Sequence, residues 1–204
     1  MAMADMTRDP RARRTLERLR AGMSTLMETK TLDQISVAEL CRVSNVHRTT
    51  FYKHFDSVAS FATDVFAGLI DELAEVDPQG THEELVDAYR VAVVAVLTHI
   101  AQNRLLYRRL FDGRGDLVFQ RAVTEAMTAR AWLAVRAFAD RGISTGTDEQ
   151  TASGMVGAGV VAALAVFASQ DGGDIDARAE EILRSLPAWW PRTDNAPPAG
   201  DRRP

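Results

Sequence analysis

Apolar residues recur along this 204-residue chain at the three-to-four spacing of helices, and no stretch carries the two-residue alternation of a convincing strand. Leu16, Leu19, Met23, Leu26 and Met27 share one face of a helix expected over about Arg11 to Lys30, and Leu32 and Ile35 pin the loop behind it. Ser36 followed by Glu39 reads as a capping box opening a second helix, whose inward stripe is Val37, Leu40, Cys41 and Ser44. Asn45 is the non-glycine residue best suited to a left-handed turn. Val46 would plug that turn into the core, and a third helix follows over about His47 to His54, with Phe51 and Phe55 facing inward.

The same reading continues downstream. Ser57 caps a helix to about Val76 carrying Val58, Phe61, Val65, Phe66, Leu69, Ile70 and Leu73, and residues 77–80 form a turn. Thr81 with Glu84 makes a second capping box and opens a helix to about Gln102. A shorter helix spans Arg104 to Phe111. Asp116 caps a helix to Arg141, Asp148 opens one to about Gln170, and the last runs from Ile175 to about Leu186. The expected fold is all-α, with about nine helices. A disordered arm (1–10) precedes a three-helix head of helix-turn-helix shape (11–56). A helical body (57–190) follows, with 57–76 as its connector to the head, and a disordered tail (191–204) ends the chain.

Charge sharpens the picture. The net charge of −4 suits a nucleic-acid binder poorly until it is divided: residues 1–56 hold 10 Lys and Arg against 7 Asp and Glu, the remainder 14 against 21. A basic head stands on an acidic body. From Arg42 to Phe55 there is no acid, so the third helix presents His47, Arg48, Thr49, Thr50, Tyr52, Lys53 and His54 with nothing to repel a phosphate. Those seven and Arg42 are the candidate DNA contacts. Tyr52 and Lys53 suit phosphates; Arg48 and Thr49 are better placed to influence sequence choice. The basic run from Arg8 to Arg14 could be a solvated helix start or an arm near the groove.

These residues also carry a resemblance. The stretch from Asn45 to Phe55 is similar to the end of the first domain of the TetR/AcrR family of bacterial transcriptional regulators, a run close to Gly-Val-Ser-Arg-x-Thr-Phe-Tyr-x-His-Phe. Val46, Arg48, Thr50, Phe51, Tyr52, His54 and Phe55 match it. Asn45 replaces the turn glycine, His47 the serine cap, Thr31 a glycine after the first helix, and Val58 a lysine that meets phosphate. The segment His99 to Phe111 resembles one type of C-terminal domain in the family more loosely. With the division of charge, this makes the head (11–56) a helix-turn-helix DNA-binding domain and the body (57–190) a regulatory and dimerisation domain. The resemblance implies a homodimer whose last two helices form a four-helix bundle, a pocket for an unknown small-molecule effector among the middle helices, and an inverted-repeat, double-stranded DNA operator. Tyr89, His99, Tyr107, Phe119 and Trp132 are the candidate pocket liners.

Thr151 to Gln170 holds no charge, but it is mostly small residues without basic flanks or an aromatic belt, so it reads as a helix–helix seam rather than a membrane span. Gly154, Gly157, Ala158, Val161, Ala162, Ala165, Ile182 and Leu186 are the expected dimer interface. A lone Cys41 excludes an internal disulfide and suits a cytoplasmic location. The four histidines lack metal-ligand spacing, no phosphate loop follows a strand, and the paired carboxylates sit on exposed faces. The expectation is a regulator and no enzyme, with no catalytic residues, metal or cofactor. Two alternatives stay open: a protein of this fold acting through a protein partner without operator binding, and a helical enzyme with a ligand cavity.

Overall fold

The computed structural model describes residues 10–73, 76–77, 79–111 and 117–192, with the Val118 side chain left aside. Nine α-helices and no strand are found among the described residues: α1 (Pro10–Leu26), α2 (Val37–Val43), α3 (Arg48–Tyr52), α4 (Val58–Leu73), α5 (His82–Gln102), α6 (Arg104–Phe111), α7 (Leu117–Asp140), α8 (Glu149–Ser169) and α9 (Ile175–Ser185). The expected arm over 1–9, the Asp112-Gly113 stop, the Asp116 cap and the tail beyond Arg192 lie outside the described residues. Two edges of those expectations change. Pro10 belongs to α1, and Pro191 is buried while Arg192 donates from Nη1 to the Arg184 carbonyl at 3.0 Å.

Local chemistry sets the helix ends. The Thr81–Glu84 capping box closes both ways, and Asp148 accepts the Thr151 amide at 2.9 Å. Asp174, not foreseen as a cap, accepts the amides of Asp176 and Ala177. The Ser36–Glu39 box is only half made. Ser36 Oγ accepts the Glu39 amide, whereas the Glu39 carboxylate turns to Lys30 Nζ at 2.7 and 2.8 Å, because a cation is the stronger partner. Helix α1 also stops short of Lys30: the Glu28 and Thr29 amides reach back only three residues, tightening the last turn. Thr31 then lies at φ −85°, ψ 163°, extended backbone open to any residue, so no glycine is needed there.

One continuous core joins the N-terminal helices to the rest. It runs from Leu16, Leu19 and Met23 of α1 through Phe51 and Phe55 to Phe61, Phe66 and Ile70 of α4, then to Leu97, Ile100, Phe119 and Leu164. Phe51, Phe55 and Phe61 pack ring on ring, with centroids 4.9 to 6.1 Å apart. Helix α4 thus supplies Phe61 to the N-terminal cluster and Phe66 to a second aromatic group with Tyr107, Phe111 and Phe119. Val58, which stands where the resembled family has a lysine, is buried in this core. Helices α7 and α8 make the most extensive pairing in the fold, and a smaller cluster around Leu85, Phe138, Val156 and Trp190 closes the far end.

Candidate nucleic-acid interface and internal cavity

The turn between α2 and α3 is built as its residue types require. Asn45 has φ 51°, in the left-handed region, and the Val46 amide donates to the Cys41 carbonyl at 2.9 Å. Val46 is half-buried against the core, and Cys41 is buried, which pushes its thiol pKa up. Ser44 is buried with its Oγ unpaired among the described residues. It faces Gly22 of α1 so closely that a Cβ on Gly22 would stand 2.1 Å from that oxygen. Gly22 was not singled out from the sequence; no pattern marks a glycine whose role is to let α2 approach.

With Phe51 and Phe55 turned inward, the rest of α3 faces water. Arg42, His47, Arg48, Thr49, Tyr52 and Lys53 are exposed; Thr50 and His54 are half-buried. His47 occupies the N-cap backbone position and makes no side-chain cap bond. Its imidazole, like the other polar side chains of this set, has no hydrogen bond or ion pair among the described residues. Tyr52 presses its ring edge-on against Phe51 at 5.7 Å, which fixes its direction while leaving its hydroxyl outside. The Lys30–Glu39 ion pair ties the loop after α1 to α2 and holds the Glu39 carboxylate.

The second feature is a cavity of about 530 Å³ enclosed by α4, α5, α7, α8 and α9. Its wall is apolar, with Val93, Val96, Met127, Val160 and Leu164 among the lining residues. Among the described residues, Asp71 and Arg130 are its only charged lining residues. Tyr89 lines it and packs on Trp190 with centroids 4.8 Å apart; burial raises the Tyr89 phenol pKa. The other four expected liners lie elsewhere. Tyr107 and Phe119 fill the core beside Phe66: α6, which packs across α8, carries Tyr107 there, and the first turn of α7 carries Phe119. His99 meets Tyr107 edge-on at 5.7 Å. Burial and the nearby Arg20 guanidinium lower the His99 pKa, against a weaker pull from Glu72. Trp132 is exposed on α7 under the Arg136 guanidinium.

The expected interface residues divide. Gly157, Val161 and Ile182 are buried inside the subunit, and Leu186 lines the cavity. Ala158 and Ala162 are exposed; Gly154 and Ala165 are half-exposed. Their outer stripe also includes Met155 and Val166, at 62% and 51% exposure. Helix α8 is long and apolar enough to cross a membrane by length and composition, yet its inner side packs on α7.

No family model and no curated protein matches the sequence. Solved structures do. FadR from Thermus thermophilus, a TetR-family transcriptional repressor in complex with lauroyl-CoA, superposes with a TM-score of 0.60 at 18% identity, over 91% of this chain and 100% of its own. A Syntrophomonas wolfei protein assigned to the TetR family of transcriptional regulators gives 0.61 at 15% identity, over 84% and 92%. RolR in complex with resorcinol gives 0.51 at 21% identity, over 84% and 87%. The fold is that of the TetR-family regulators. Within it, α2 and α3 are joined by the Asn45 turn, and α4 packs at its start on the N-terminal aromatic cluster and near its end on the cavity wall.

Proposed function

We propose that this chain is a cytosolic, homodimeric TetR-family regulator of transcription that binds an inverted-repeat operator and is released from it by a small effector. The observation that carries the reading is the outer surface of α3. Cations, hydroxyls and imidazoles stand there with no hydrogen bond or ion pair among the described residues and no acid between Arg42 and Phe55, a surface a phosphate backbone would complement. Tyr52 and Lys53 would hold phosphates, Arg48 and Thr49 would bear on base edges, and His47, freed from capping, would reach the same groove. The outer stripe of α8, centred on Ala158 and Ala162, would pair two subunits and set their α3 helices one helical turn of DNA apart, roughly 34 Å. The cavity would take the effector; two neighbours of this fold are solved in complex with small molecules, lauroyl-CoA and resorcinol.

The deciding experiment is a gel shift against DNA flanking the protein's own gene, with scrambled duplex as control. Salt-dependent, sequence-selective binding supports the reading, and binding no better than to scrambled duplex refutes it. The buried Val58 removes one expected phosphate contact, and that loss favours the second reading, a protein of this fold working through a protein partner.

A further inference from the structure

The cavity's charge is concentrated at one place and couples two elements. Arg130 of α7 donates from Nη2 to the main-chain carbonyl of Ala67 in α4 at 2.8 Å and, by a shorter contact, to the Asp71 carboxylate one turn further along α4. Both charged side chains line the cavity. Their environments differ: the Arg130 side chain is 27% exposed and the Asp71 side chain 71%. Arg130 Nε and Nη1 have no hydrogen bond among the described residues, so the guanidinium presents open donors beside an apolar chamber.

We propose that Arg130 is the recognition point for one anionic group on an otherwise apolar effector, and that this anion competes with Asp71 for the guanidinium. A guanidinium fork matches a carboxylate or sulfonate through two parallel N–H donors, whereas a neutral polar group offers no such fit. Of the two partners on α4, Asp71 is the cheaper to release, because water takes over an exposed carboxylate while the Ala67 carbonyl has less access to it. The chamber admits the apolar body, and the charge at its edge selects for the headgroup. Capture of the anion therefore loosens the side-chain tie between α7 and the connector α4. This assignment rests on the cavity being the effector site.

The test uses two fluorescent probes with the same apolar body: 8-anilinonaphthalene-1-sulfonate, which carries one anion, and N-phenyl-1-naphthylamine, which carries none. Each is titrated into the full chain and into R130Q and D71N, with thermal melts confirming that the variants fold. The expected result is that R130Q weakens the sulfonate about tenfold and changes the neutral probe less than twofold. D71N, which removes the competitor and leaves the cation, should tighten the sulfonate several-fold. If R130Q does not fold, the D71N result alone decides. Wild-type protein that does not bind the sulfonate, an R130Q loss equal for both probes, or a D71N variant that binds the sulfonate no better overturns the assignment. Probe binding that follows this pattern but leaves DNA affinity unchanged would sink the effector reading while the anion site stands.

Discussion

Gly157 lies on the inner face of α8, against α7, and replacing it by Ala gives the sharpest test of the packing. A Cβ built on Gly157 stands 2.6 Å from the Cα, amide nitrogen and Oγ1 of Thr128 in α7. Two of those atoms are backbone and cannot rotate away, so the helices must separate or the new methyl must remain strained. Overpacking of this kind costs about 1–3 kcal/mol. Removing a mid-helix glycine returns about 0.5–1 kcal/mol of helix propensity. The net loss centres near about 1 kcal/mol, within about 0–2.5, and a loss of about 1 kcal/mol lowers the melting temperature by roughly 2–4 °C for a chain this long. Gly159→Ala is the control, since nothing lies within 4 Å of its Cβ. The assay is thermal denaturation followed by circular dichroism over a hundredfold range of protein concentration, because subunit pairing makes the midpoint concentration-dependent. A Gly157→Ala protein that melts at or above wild type would refute the close α7–α8 approach. A Gly159→Ala protein that melts higher at every concentration would remove its part of the outer face from the proposed interface.

Four further outcomes follow from particular residues. Lys53→Ala should weaken binding to every duplex sequence and reduce the slope of log affinity against log salt by about one, measured by fluorescence anisotropy across a salt series. Phe51→Ala, at a fully buried position against Phe55 and Phe61, should cost about 3–5 kcal/mol in urea denaturation. Ala162→Glu, exposed in the subunit, should leave its helicity intact while sedimentation at micromolar concentration turns from dimer to monomer. His99 is held below its ordinary pKa, so the unfolded chain binds its proton more readily than the folded one. Its contribution is intact at neutral pH and is lost as pH falls through about 6.5, and His99→Gln should flatten that limb of the stability–pH curve.

The helices were legible because their apolar residues keep a single period, and the ends were legible where a cap is local, as at Thr81 with Glu84 or Asp148 with Thr151. Asn45 announced its left-handed turn by residue type alone. What stayed hidden depends on partners far along the chain. Glu39 abandons its helix cap for Lys30, nine positions away. Arg130 meets α4 across roughly sixty residues. Helix α8 shows the limit most plainly. Gly and Ala surround it on nearly every side, so no moment distinguishes inner face from outer, and the expected interface mixed Gly157 and Val161 with Ala158 and Ala162. Four of the expected pocket liners stand outside the cavity for a related reason. Tyr107 and Phe119 are aromatic residues on apolar helices whether they fill a core or line a chamber, and only the packing of α6 and of the start of α7 decides between these.

The position of α4 explains how the cavity and α3, the proposed reading helix, can be coupled without a flexible joint. Its sixteen residues span about 24 Å. Phe61, near the start, packs against Phe51 and Phe55; Ile70, near the end, lines the cavity beside Asp71. A tilt of about 5° pivoting at the cavity end moves the other end by about 2 Å, within the range of packed-helix shifts. Close packing around Phe61 leaves no room for the rod to move while the aromatic cluster stays behind, so α3 must travel with it. In the proposed symmetric pair both α3 helices would shift, and their separation would depart from the fixed groove spacing from both sides at once. The side-chain tie from Arg130 to the cavity end of α4 opposes such a tilt. An occupant that draws the guanidinium away lowers the cost of tilting and makes no contact with the head.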